Sequence, residues 1–261
     1  MSYTVKEAAH DAAEVLRAAS KEAGKRNFTA AVIVAGGNGT RMGTEVTKQM
    51  LELDGKPVVV HTLLAYQNTP CIGEIVVAAK QDEIDIYQSF KEEYGITKLR
   101  AVVAGGVTRQ ASALAGVEAV SDKVRYVAIA DAARCLTTPE QISEVCRVAY
   151  KTDAASAGIP ATDTIKVADT AGYIQQTPER ALCWQAQTPQ VFRHALYLAA
   201  SYAAIEHKFT ATDDNSLIEF VRHPVKMVKC SKQNIKITEP CDLPYAQLIL
   251  DMRKKESEGK T

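Results

Sequence analysis

Ala30-Ala31-Val32-Ile33-Val34-Ala35-Gly36-Gly37-Asn38-Gly39-Thr40-Arg41-Met42-Gly43 joins an apolar, β-branched run to a turn crowded with glycine. The run is short enough for a strand and apolar at every position, which is the pattern of a strand covered on both faces. The glycines that follow let backbone N–H groups face an anion with no side chains in the way. Outward from this stretch the same rhythm repeats. Pro57 opens a helical stretch, Ile75–Ala79 reads as strand and Ile84–Tyr94 as helix. Leu99–Ala104 reads as strand, followed by Gly105-Gly106 and a helix through Ala113, Leu114, Val117 and Val120. Val124–Ala130 is another strand, Pro139 starts a helix beside Thr138, and Ala154–Ile159 is strand again. Strands alternating with crossover helices require a parallel sheet. The fold class is therefore α/β, three-layered and doubly wound, with a mainly parallel sheet. Ligands of such sheets bind beyond the carboxyl ends of the strands, where both glycine turns and Asp131 belong.

Residues 160–183 break the rhythm. Asp163–Val167 and Gly172–Gln176 read as two short strands of a projecting β-arm, closed by Trp184 and Gln187-Thr188-Pro189-Gln190. A helix over Arg193–His207, another from Thr212, a strand at Val225–Lys229, the segment Asn234–Thr238 and a last helix from about Pro240 follow. Trp184 reads as core, and the charged tail Lys254–Lys260 as frayed. Residues 1–27 stand apart as an accessory N-terminal helix: Val5, Ala8, Ala12, Val15, Leu16 and Ala19 recur at helical spacing, and Gly24 ends them. The acids Glu7, Asp11, Glu14 and Glu22 argue against an organellar transit peptide. Residues 28–261 form the main domain.

Composition excludes several classes. The 261 residues carry 31 Lys+Arg against 31 Asp+Glu, so there is no basic surplus of the kind nucleic acid or anionic membrane would attract. No apolar run approaches the twenty or so residues of a membrane span. The cysteines Cys71, Cys135, Cys146, Cys183, Cys230 and Cys241 form no C-x-x-C pair and no zinc spacing. They read as scattered, reduced, partly buried thiols of a cytoplasmic protein.

The glycine turn is neither of two common nucleotide motifs. A dinucleotide fingerprint from Gly37 needs glycine where Met42 stands, and no frame supplies the Gly-Lys of a P-loop. What remains is exposed amides with Arg41 inside the loop and Lys48 beyond it. Two cations beside free amides suit a triphosphate.

Taken in order, the chain resembles the 2-C-methyl-D-erythritol 4-phosphate cytidylyltransferase family of the non-mevalonate isoprenoid pathway. The motifs are Ala35–Met42, Lys48-Gln49, Gly105–Ser112, Asp131-Ala132-Ala133-Arg134, Asp163–Lys166, Gln187–Gln190, Thr212-Asp213-Asp214 and Asn234–Thr238. Ala130, Cys135, Thr47 and Val107 depart from the family's usual residues. The resemblance implies attack of an acceptor phosphate on the α-phosphorus of CTP, with pyrophosphate leaving. It implies Arg41, Lys48 and Lys236 as the catalytic cations. Ala35, Gly36, Gly37, Gly39, Gly105, Gly106, Ser112 and Asp131 would bind the nucleotide. Arg134, Thr164, Arg180, Thr188 and Thr212 would bind the acceptor, a small sugar-alcohol phosphate. Mg²⁺ is the expected cofactor, with Asp131 its candidate ligand. The resemblance further implies a homodimer in which the arm of one subunit carries Arg180 to the site of the other. A sister family acts on ribitol 5-phosphate, and an idle nucleotide-binding paralogue is the third reading. Pyrophosphate release from CTP with each acceptor separates them.

Overall fold

A computed structural model describes residues 27–37 and 47–259. The segment 1–26 and the glycine-loop positions 38–46, which include Gly39 and Arg41, lie outside the described residues.

A seven-stranded sheet forms the centre. Strand β1 (Thr29–Val34) pairs in parallel with β4 (Ile72–Ala79) on one side and β6 (Tyr126–Asp131) on the other. Beyond β4 lies β5 (Leu99–Ala104), parallel to it. Beyond β6 lies β10 (Trp184–Arg193), antiparallel to β6 and to β7 (Ala154–Pro160), which in turn pairs in parallel with β11 (Lys226–Lys229). The order is β11-β7-β10-β6-β1-β4-β5. A small ribbon pairs β2 (Glu52–Leu53) with β3 (Lys56–Pro57).

The continuous apolar strands are explained by the layers on either face. Along β1, Ala31 and Ile33 enter one core cluster, while Ala30 and Val32 enter the other. Ala128 and Ala130 of β6 likewise face the first cluster, and Val127 and Ile129 the second. Helices α1 (Val58–Gln67), α2 (Ile84–Glu93) and α4 (Pro139–Thr152) supply the first layer. Helices α3 (Arg109–Glu118), α5 (His194–Glu206) and α6 (Asp214–Phe220) supply the second. A third, smaller cluster packs α7 (Asp242–Glu258) over Leu53, Val58, Leu136 and Ile237.

Local chemistry sets the helix boundaries. Thr138 accepts from Gln141 N while the Gln141 side chain returns to Thr138 N, a capping box with Pro139 in the first turn. Asp213, and not Thr212, caps α6: its carboxylate accepts from Ser216 N at 3.0 Å. Asp213 stands in extended backbone at the cap position, and the Ser216 side chain completes a capping box with it.

Three other expectations change. Residues 184–193 are a full strand, the one antiparallel member of the large sheet, though Gln185, Gln187, Thr188 and Gln190 hide the apolar pattern. The charged tail is helical through Glu258, where Lys254 pairs with Asp54 at 2.6 Å. Trp184 is 37% exposed and so not core. In the excursion, the two short strands are β8 (Val167–Ala168) and β9 (Ile174–Gln176), an antiparallel pair separate from the large sheet and exposed throughout.

Helix α3 lies against the sheet at a glycine. A Cβ on Gly116 would sit 2.4 Å from Val32 Cγ1, itself fully buried and β-branched. Gly116→Val should lower stability by about 1–3 kcal/mol through overpacking, although it removes a helical glycine. A urea midpoint unchanged or raised would contradict this helix–sheet packing.

Candidate active site

At the carboxyl ends of β1 and β6 and the N-terminus of α3 lies a cleft of about 250 Å³. Gly36 and Gly37 close one wall, Gly106 to Arg109 a second, and Asp131 to Ala133 the floor, with Lys48 and Lys236 at its sides. This is the position the strand rhythm calls for.

Asp131, the last residue of β6, is the electrostatic centre. Its Oδ1 accepts from Arg109 Nε at 3.2 Å, its Oδ2 lies 2.9 Å from Lys236 Nζ, and Arg134 Nε is 3.7 Å from Oδ2. Burial pushes the carboxyl up, but Arg109, Lys236 and Arg134 together outweigh it and hold it at about 2. Arg109 bridges onward to Asp214 Oδ2 at 2.7 Å, and Tyr197 donates to Asp214 Oδ1 at 2.8 Å. Gln190 Oε1 accepts from the amides of Asp214 and Asn215. Arg109 is thus an ion-pair bridge, and Asp214 and Gln190 help build the site although their sequence positions assigned them no role. Among the described residues lining the cleft, Lys48, Arg109 and Lys236 are basic and Asp131 is acidic.

Each cation has a local reason for its place. Lys48 starts a single 3₁₀ turn, Lys48–Met50, whose next residue grips the glycine loop. Gln49 Nε2 donates to Ala35 O at 2.7 Å and to Gly37 O at 3.3 Å, and its side chain is buried. Lys236 stands on irregular chain pinned at three points. Asn234 Nδ2 donates to Thr188 O at 2.9 Å, Arg134 Nη1 donates to Asn234 O at 2.7 Å, and Ile237 N donates to Ala133 O at 2.9 Å. The structure brings Gly36, Gly37, Lys48, Gly106, Ser112, Asp131 and Lys236 into one cleft. Ala35 and Gly105 flank it. A Cβ on Gly105 would meet Ser112 Oγ at 2.8 Å and Ala79 O at 3.3 Å, so only glycine lets the second turn close on the sheet. Ser112 itself is buried and donates to Thr108 O at 2.9 Å.

The acceptor set divides. Arg134 and Thr188 meet protein groups here: Thr188 Oγ1 accepts from Asp131 N at 3.2 Å, and both support the Lys236 segment. Thr164, Arg180 and Thr212 are exposed and do not line this cleft. Among the unusual positions, Ala130 and Cys135 are buried, with burial pushing the Cys135 thiol up to about 12, whereas Val107 is fully exposed at the cleft mouth.

A sequence model of the IspD family, 2-C-methyl-D-erythritol 4-phosphate cytidylyltransferase, matches residues 29–252. The chain belongs to this family. It is 39% identical to the 2-C-methyl-D-erythritol 4-phosphate cytidylyltransferase of Alkaliphilus oremlandii, over 87% of this chain and 97% of that one. It is 41% identical to the enzyme of the same name from Caldanaerobacter subterraneus subsp. tengcongensis, over 84% and 97%. The crystal structure of 4-diphosphocytidyl-2C-methyl-D-erythritol synthase from Anaerococcus prevotii superposes with a TM-score of 0.77 at 29% identity, covering 86% of this chain and 99% of that one. These cytidylyltransferases share the mostly parallel sheet and flanking helices described above. The match begins at the first residue of β1, so the family domain takes in every element of the cleft.

A group whose folded pKa is depressed contributes stability above its unfolded pKa and loses it as pH falls through the folded value. Asp131, held at about 2, is such a group. The stability difference between the wild type and Asp131→Asn should shrink by on the order of 2 kcal/mol between pH 5 and pH 2. Urea unfolding across that range measures it, and a constant difference would contradict the three-cation cage.

Proposed function

We propose that the chain transfers the cytidylyl group of CTP to 2-C-methyl-D-erythritol 4-phosphate and releases pyrophosphate, serving isoprenoid precursor synthesis in the cytoplasm. The observation that carries this reading is a cationic cleft, at the carboxyl ends of β1 and β6, within a chain that matches the family over residues 29–252. Both reactants are anions, so the site must first overcome their repulsion. No covalent intermediate is needed: alignment and charge neutralisation supply most of the rate.

In this reading the acceptor phosphate oxygen attacks the α-phosphorus and pyrophosphate departs in line. Lys48, with Arg41 from the neighbouring loop, neutralises the triphosphate. Lys236, tethered to Asp131 at 2.9 Å, meets the α-phosphate or the acceptor phosphate. The amides of Gly36, Gly37 and Gly106 and the small Ser112 face the nucleotide. The turns at Gly36-Gly37 and Gly105-Gly106 offer mostly backbone groups, which suits a pyrimidine.

The donor set fits Mg²⁺ brought in with the nucleotide. Among the described residues no cluster of three or more His, Cys, Asp or Glu could cage a metal, while Asp131 offers one ionised carboxylate at the cleft floor. That is the protein share Mg²⁺ takes when phosphates supply the other oxygens. When bound, the ion would neutralise developing charge on the phosphates.

The arm supports a homodimer. A two-stranded ribbon alone is marginal in water. Here it exposes Tyr173 (73%), Ile174 (60%) and, just beyond, Leu182 (76%). Covering it with a second subunit would hide this surface and carry Arg180 and Thr164 to a neighbouring site.

The direct test is pyrophosphate release from CTP and Mg²⁺ with methylerythritol phosphate or ribitol 5-phosphate. Turnover with the first acceptor is expected; turnover confined to the second, or to neither, overturns the reading. Lys48→Ala and Lys236→Ala should each lower turnover by about 10²–10³, Lys48→Ala with little loss of stability. For the dimer, mixing Arg180→Ala with Lys48→Ala protein should restore activity well above either parent once subunits exchange. Absence of recovery after confirmed exchange would return Arg180 to its own subunit.

A further inference from the structure

Away from the cleft, the fold brings together two cysteines far apart in the sequence. Cys71 lies in the turn before β4, half-buried and packed against the first core cluster. Cys146 lies on the buried face of α4, inside that cluster. The Cys146, Ser143 and Tyr150 side chains interact with the Cys71 thiol, and Tyr150, one turn beyond Cys146 on α4, lines the same cavity as Cys71. Tyr150 is fixed in turn by a 2.6 Å hydrogen bond with Thr29 Oγ1. Both cysteines are free thiols.

The pair is not sealed. Cys71 lines an open surface cavity of about 590 Å³ with Phe28, Pro70, Gly73 and Tyr150, so a small solute can reach its sulfur. The Lys98 ammonium lies close by, held to Thr69 O at 2.8 Å. A partly exposed thiol with a thiol donor on one side and a cation nearby is the environment that favours thiolate and reactivity. The contact with Cys146 is the largest influence lowering the Cys71 thiol, against burial, while the same contact and burial raise Cys146. The two sulfurs are therefore unequal: one poised to attack, the other held protonated beside it.

We propose that Cys71 and Cys146 form a peroxide-reactive dithiol, with Cys71 the attacking sulfur and Cys146 the resolving one. In the first step the Cys71 thiolate attacks one peroxide oxygen. The S–O bond forms, the O–O bond breaks, and hydroxide leaves, giving Cys71 sulfenic acid. In the second step the Cys146 sulfur attacks the sulfenyl sulfur. The S–S bond forms, the S–O bond breaks, and the departing hydroxide takes the Cys146 proton as water. Two thiols are oxidised to one disulfide, and one hydrogen peroxide is reduced to two waters. Cys241, exposed but with no cysteine partner described, is the internal control.

The test treats the full-length protein with hydrogen peroxide, then maps its peptides without reduction. The expected product is a Cys71–Cys146 linked peptide that a thiol reductant removes, formed on the order of tenfold faster than oxidation of Cys241. In Cys146→Ser, Cys71 should be trapped as sulfenic acid by a dimedone-type reagent; in Cys71→Ser, Cys146 should stay reduced. Retained pyrophosphate release checks that each variant is folded, and the wild-type map decides the matter even where one is not. Absence of the linked peptide, linkage through another cysteine, or Cys71 oxidation no faster than Cys241 would overturn the proposal.

Discussion

A single carboxylate at the end of a buried strand holds three cations in place. Asp131 has Arg109 on one oxygen and Lys236 and Arg134 on the other, and it is 9% exposed. Like charges so close would repel one another without it. An unpaired carboxylate so deep would in turn be costly, so anion and cations need each other. The same contacts fix geometry. Arg109 carries the restraint to Asp214 at the start of α6, and Arg134 carries it to the Asn234 carbonyl beside Lys236. The start of α6, the floor of the cleft and the C-terminal segment are thereby joined in one charged frame.

The sheet makes this frame possible. Because both faces of β1 and β6 are covered, their side chains are spent on packing, and chemistry can begin only where the strands stop. Val34 and Asp131 are register partners at that edge, so the glycine turn and the carboxylate leave the sheet side by side. Gln49 then fastens the turn by bonding Ala35 O and Gly37 O, which sets Lys48 opposite Asp131 across the cleft. Preorganised charge of this kind favours a reaction between two anions, since little reorganisation is left to do when the phosphates arrive.

Much of this was legible in the residues themselves. Apolar runs ending in glycine or aspartate specify parallel strands with a ligand edge, because period and burial are written into residue type. The glycine turns, Lys48, Asp131 and Lys236 follow from that reading and from the family's motifs, and they converge in the structure. Strand β10 was hidden by its glutamines, whose hydrogen bonds to Asp213, Asp214 and Asn234 exist only once distant segments meet. The cap of α6 fell to Asp213 for a local reason, its carboxylate on Ser216 N, that spacing alone does not rank.

The sequence alone determined the α/β class and the family, because those depend on side-chain type and order along the chain. Only the tertiary structure decided the partners of individual side chains. Arg134 and Thr188 proved to be struts under Asp131 and Lys236, and Arg109 a bridge to Asp214. Cys71 and Cys146, scattered in the sequence, became neighbours. Pairing across such separations is set by how helices and strands pack, and no local pattern of residues encodes it.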